Sequence, residues 1–163
     1  MDYNTEAINE VAEEVAKILK NALEAQPKKG KGDVKIAQVE SNMREVMLKI
    51  GNEALSILLS SEQTTPLAEI GCECGGILHY QRMREATVIS VFGKTKYKRA
   101  YYAGCSCKKG KAPIDEQFGL EPGAVTAGLA KLLALAGIEF SYDESQDGYS
   151  LFCCSIFPKT QYV

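Results

Sequence analysis

Two short cysteine pairs constrain this chain more than anything else in it. "CEC" (Cys72, Cys74) and "CSC" (Cys105, Cys107) hold four of the six cysteines, with thirty residues between the pairs. A tetrahedral metal site needs about four soft or imidazole ligands, and two pairs on tight turns supply them. Gly75 and Gly76 follow the first pair and Gly110 comes shortly after the second. The expectation is one structural Zn2+ on Cys72, Cys74, Cys105 and Cys107. Each pair has a one-residue spacer where the usual knuckle has two, so reduced structural cysteines and disulfides stand as alternatives. His79, the only histidine, falls in a predicted strand and reads as a strand residue rather than a ligand. Four thiolates leave no open coordination position, so such a metal would hold the fold rather than do chemistry. A module of about 40 residues has too small a core to stand on packing alone.

Charge separates this module from the rest. Residues 71–112 carry nine Lys and Arg against two acids, Glu73 and Glu85, a balance of +7. The chain as a whole is at −2, so the remainder carries −9. Four thiolates and one Zn2+ would still leave the module at roughly +5. A basic module on an acidic stem points to a polyanion partner. No apolar run approaches the ~18 residues of a membrane span. The acidic start "MDYNTEAINEVAEEV" has no apolar signal region. The expected compartment is therefore the cytoplasm, where thiols stay reduced and metal is favoured over disulfide.

The hydrophobic periodicity predicts an α+β protein. Residues 1–62 read as a helical stem. Ile8, Val11, Val15, Ile18 and Ala22 place a helix over about 4–25. "QPKKGKGD" breaks it, with Asp33 as N-cap of the next helix. That second helix spans about 34–60, with Ile36, Met43, Ile50 and Ile57 seven apart and Val39 and Val46 at the other seam position. Gly51 weakens its middle. The two helices either form a hairpin or pair with a second copy of the chain.

Residues 70–113 read as a zinc-ribbon-like basic module of three strands, about 77–83, 87–92 and 95–102, with Gly93 at the last turn. Alternation puts Lys94, Lys96, Lys98 and Tyr102 on one face and Tyr97, Arg99 and Tyr101 on the other. A further helix is expected within 120–138, over about 125–136, with Gly137 as its stop. Residues 146–163 read as an irregular tail with the look of a shifted reading frame. Its adjacent Cys153 and Cys154 have no assigned role.

The ordered set "CECGG", "VFG", "KRAYY", the second cysteine pair and "APIDEQFGLEPG" resembles the N-terminal half of the ISKra group of insertion-sequence transposases, over about residues 70–145. The resemblance implies the DNA-binding and assembly region of a DDE-type transposase, cut short before its catalytic domain. Mg2+ would belong only to a full-length relative. DNA at the element ends is the implied partner, and the stem offers a route to a homo-oligomer. Arg82, Arg84, Lys94, Lys96, Lys98, Arg99, Lys108, Lys109 and Lys111 are the expected phosphate contacts. The alternative is a zinc-ribbon protein-interaction or oligomerisation module. No catalysis is expected. There is no phosphate-binding glycine loop, no second histidine and no nucleophile beside a base. Asp115 and Glu116 read as turn and helix-entry residues, and Asp143, Glu144 and Asp147 as solvent-facing.

Overall fold

The computed structural model describes residues 5–24, 36–61 and 65–139. The "QPKKGKGD" loop with Asp33, the acids at 143–147 and the tail with Cys153 and Cys154 lie outside them. The described residues form four helices and a three-stranded antiparallel sheet, which is the expected α+β class.

The stem is a pair of helices packed on each other, α1 (Thr5–Glu24) and α2 (Ile36–Ser61). Most of the expected stripe of α1 faces inward, with Val11, Val15, Ile18 and Ala22 half-buried, but Ile8 is exposed and its neighbour Ala7 is buried instead. The seam of α2 divides. Val39, Val46, Ile50 and Ile57 are half-buried, whereas Ile36 and Met43 are exposed. Gly51 does not interrupt α2; it makes room. A Cβ there would sit 2.4 Å from the Phe92 ring, which comes from the turn of the sheet.

The sheet is β1 (Glu69–Gly71), β2 (Ile77–Ser90) and β3 (Gly93–Ala103), in that order. Two expectations change here. The strands placed at 77–83 and 87–92 are one long strand, β2. Charged Arg84 and Glu85 looked like a break, but pairing to Arg99 and Lys98 carries the strand through them. The third strand is instead β1, three residues paired to the start of β2. Gly93, at φ 107°, opens β3 in a conformation that suits glycine.

A register shift between Tyr80 and Arg82 has a large effect. One extra residue reverses which side chains of β2 face which side. Leu78 and Tyr80 therefore lie on one face with Ala100 and Tyr102, while Ala86 and Val88 lie on the other with Tyr97. The sheet thus carries two small cores on opposite faces at opposite ends. One gathers Leu59, Ala86, Val88, Tyr97 and Ile114. The other gathers Leu78, Ala100, Tyr102 and Cys105, with Cys72 and Cys107 packed against it.

β3 is an edge strand, and α2 covers it. Asn52, Ser56 and Ser60, four residues apart on one helix face, reach its outward backbone groups. Asn52 Nδ2 donates to the Lys94 carbonyl at 3.1 Å, and Ser56 Oγ to that of Lys96 at 2.6 Å. The Lys98 N–H donates to Ser60 Oγ at 3.1 Å. Further along, Tyr102 and Lys111 exchange two backbone hydrogen bonds. An edge that could recruit a foreign strand is thereby closed.

"APIDEQFGL", whose Asp115 and Glu116 are expected at a turn and helix entry, contains a short helix, α3 (Pro113–Phe118), with both acids in its first turn. Pro113 opens it and Gly119, at φ 60°, ends it. Ile114 on α3 is fully buried under the first core. The last helix, α4 (Ala127–Glu139), begins after Pro122 and runs through Gly137 rather than stopping there. Thr126 caps it, its Oγ1 accepting from the Leu129 N–H at 3.4 Å. The 123–126 segment bonds along the free side of β2, through Gly123 to Thr87 and through Ala124 and Thr126 to Ile89.

Candidate metal centre

Each cysteine pair sits at the tip of a two-stranded corner. The first links β1 to β2. Its turn is closed by Cys72 N–H to the Gly76 carbonyl at 2.8 Å and Gly75 N–H to the Cys72 carbonyl at 2.9 Å. Gly75 has φ 85°, which favours glycine. The second follows β3 and is closed by Lys108 N–H to the Cys105 carbonyl at 2.9 Å. The β1–β2–β3 sheet brings the two corners together across its end.

The four sulfur atoms lie within 4.8 Å of one another. Sγ separations are 3.4 Å for Cys72–Cys74, 3.5 Å for Cys72–Cys107 and 3.2 Å for Cys74–Cys105. Four sulfurs around one zinc at ~2.3 Å would be about 3.8 Å apart, so this spacing fits a four-coordinate ion. Gly76 is required for the approach: a Cβ there would meet Cys105 Sγ at 2.6 Å. The set can therefore hold one metal ion such as zinc, through thiolates alone.

The electrostatics show a group short of positive charge. The Cys107 N–H, and next the Cys74 thiol, bond to the Cys105 sulfur and bring its pKa down to about 6. Cys74 is pushed up to about 12, chiefly by its hydrogen bond to Cys105. The hydrogen bond thus makes Cys105 the more acidic and Cys74 the less acidic thiol of the pair. An ion would displace the Cys74 proton. His79 stands outside the cluster, an exposed strand residue whose Nδ1 lies 3.1 Å from Glu69 Oε1.

The nine expected phosphate contacts do not share one surface. Lys94, Lys96 and Lys98 are exposed on one face of β3, and Lys96 pairs with Glu85 across the sheet at 3.3 Å. Arg82, Arg84 and Arg99 point to the other face, set by their pairing with Tyr101 and Arg99. Arg99 is engaged inside the fold. Asp115 of α3 takes its guanidinium and also accepts from Tyr97 Oη at 2.7 Å. Both partners of that ion pair are largely buried, with side chains 16% and 14% exposed. Burial raises the Tyr97 pKa, against a smaller lowering by Arg99. Lys108, Lys109 and Lys111 occupy the second knuckle loop. Lys111 bonds Glu116 at 2.6 Å, which raises its pKa, and Lys109 approaches Glu73 at 4.0 Å. Asp115 stands in the first turn of α3, in keeping with a helix-entry role; its anchoring of Arg99 has no sequence signal, because it lies 16 residues away, beyond any local period.

No family model, curated protein or solved structure matches the chain. No helix among the described residues is long and apolar enough to cross a membrane.

Proposed function

We propose that this chain is a zinc-held module that docks on DNA, carried on a helical stem that assists assembly, with no catalysis of its own. The observation that carries the reading is the convergence of the four sulfurs at one end of a sheet rich in cations. The ion fixes both corners, and the corners fix the basic strand and loop. The ordered resemblance to ISKra-group transposases supports DNA as the polyanion and element ends as its natural site.

Phosphate contacts leave a salt signature. For about four such contacts, affinity of the full chain for a short duplex falls roughly 100-fold between 50 and 200 mM salt. A mobility-shift titration measures this. Affinity that stays level over that range would remove the reading.

One feature favours a second reading, a protein-interaction or oligomerisation module. α2 exposes Ile36 (71%), Met43 (40%) and Met47 (56%) along the stem. Sedimentation of the full chain and of Met47→Glu tests it: a dimer that the substitution dissolves would support self-association through this face.

A further inference from the structure

The lysine row of β3 is the obvious docking surface, and its surroundings argue against it. Lys94 lines a groove of about 670 Å3 with Glu14 of α1 and Glu45, Lys49 and Glu53 of α2, three acids against two lysines. α2 runs along the same edge that carries Lys94, Lys96 and Lys98. The acidic stem is therefore the nearest neighbour of the row, and Glu85 already pairs with Lys96. A phosphate backbone laid there would approach those carboxylates as well.

The opposite face, at the cysteine end, is built differently. Arg84 lies over the Tyr101 ring, its Cζ 3.6 Å from the centroid. Arg82 stands directly across the strands from Tyr101, and Arg84 directly across from Arg99. Like charges facing each other across a ladder are unfavourable unless a counter-charge serves them. The carboxylates near this face are engaged elsewhere: Asp115 by Arg99 and Tyr97, Glu116 by Lys111, and Glu73 lies 4.0 Å from Lys109. Neither the Arg82 nor the Arg84 side chain has an ion pair or hydrogen bond among the described residues. The Nε atoms of Arg84 and Arg99 are both buried and without a partner. Tyr101 links this pair to the second knuckle: a Cβ at Gly110 would come 1.9 Å from its Oη. Exposed Lys108 and Lys109 sit in that same loop.

We infer that the DNA-facing surface is this arginine face, in which Arg82 and Arg84, steadied on Tyr101, take phosphodiester oxygens beside Lys108. The inference rests on the DNA-docking reading above. A guanidinium held against a ring is a fork already placed for a phosphate, and it loses less freedom on binding than an exposed lysine. The aromatic ring supplies the platform, and the metal-held knuckle supplies the adjoining ammonium groups.

The test uses the full, zinc-loaded chain and a random-sequence 20-base-pair duplex at several salt concentrations. Arg82→Gln with Arg84→Gln is expected to weaken binding at least tenfold and to reduce the salt slope by about two. Arg82→Gln alone, at an exposed position, is expected to lower the slope by about one and guards against a folding defect. Lys94→Gln, Lys96→Gln and Lys98→Gln together are expected to cost less than threefold. Arg84→Lys keeps the charge but loses the planar two-pronged donor, so it is expected to retain only part of the affinity. If the lysine triple loses more than the arginine pair, or Arg82→Gln leaves the slope unchanged, the arginine face is wrong while DNA docking stands. If the unsubstituted chain binds no duplex at low salt, both fall.

Discussion

The two ends of the sheet are buttressed by different means. At the hairpin end, the core draws on three parts of the chain: Leu59 of α2, Ala86, Val88 and Tyr97 of the sheet, and Ile114 of α3. At the other end, Leu78, Ala100 and Tyr102 pack with Ile70, Tyr80 and the cysteine corners, and no helix residue belongs to the cluster. A face covered by helices can rest on apolar burial. A face covered by two tight turns cannot, and there an ion shared by the four cysteines would take the place of a layer. The same four cysteines would add little at the helix-covered end.

That contrast can be broken by removing the ion. Cys105→Ser, or a strong chelator, is expected to abolish stoichiometric zinc. It should strip amide-exchange protection from Leu78, Tyr80 and Tyr102 while Ala86, Val88 and Tyr97 keep most of theirs. Equal loss at both ends would mean a single cooperative unit and would end the distinction. Ile114→Ala is the converse experiment. Ile114 is fully buried in the helix-covered core, so the substitution is expected to cost about 3–4 kcal/mol in denaturant unfolding. Zinc stoichiometry should be unchanged.

A smaller effect sharpens the picture of the covered edge. Ser56→Ala leaves the Lys96 carbonyl without its helix partner. At this exposed site the cost is expected to be about 0.5–1.5 kcal/mol, read from the unfolding midpoint. The pH dependence of zinc uptake addresses the other end. Cys74, raised to about 12, holds its proton at neutral pH and must release it to ligate. Affinity is therefore expected to rise with pH, by at least ~tenfold per unit around neutrality, as competition titrations at two pH values would show. An affinity independent of pH would mean that Cys74 is not a ligand.

Much of the site was legible because cysteine spacing and strand alternation are local signals. Cys72, Cys74, Cys105 and Cys107 do converge, and the lysines of β3 do share a face. What escaped depends on long-range pairing. Arg84 and Glu85 look like loop residues until Arg99 and Lys98 stand opposite them. The one-residue bulge before Arg82 has no marker in the sequence, yet it decides which side of the sheet the arginines occupy. α3 hid between Pro113 and Gly119, because six residues are too few to show a helical period. Gly51 and Gly137 both read as weak points or stops for a helix. Each lies within one, and at Gly51 the reason is visible in the Phe92 ring.

Metal analysis joined to X-ray absorption at the zinc edge, on the full chain purified after growth with ample zinc, goes to the heart of the matter. The expected result is about one zinc per chain with four sulfur neighbours at ~2.3 Å. Less than half an equivalent of zinc, or a first shell of nitrogen and oxygen, would contradict it.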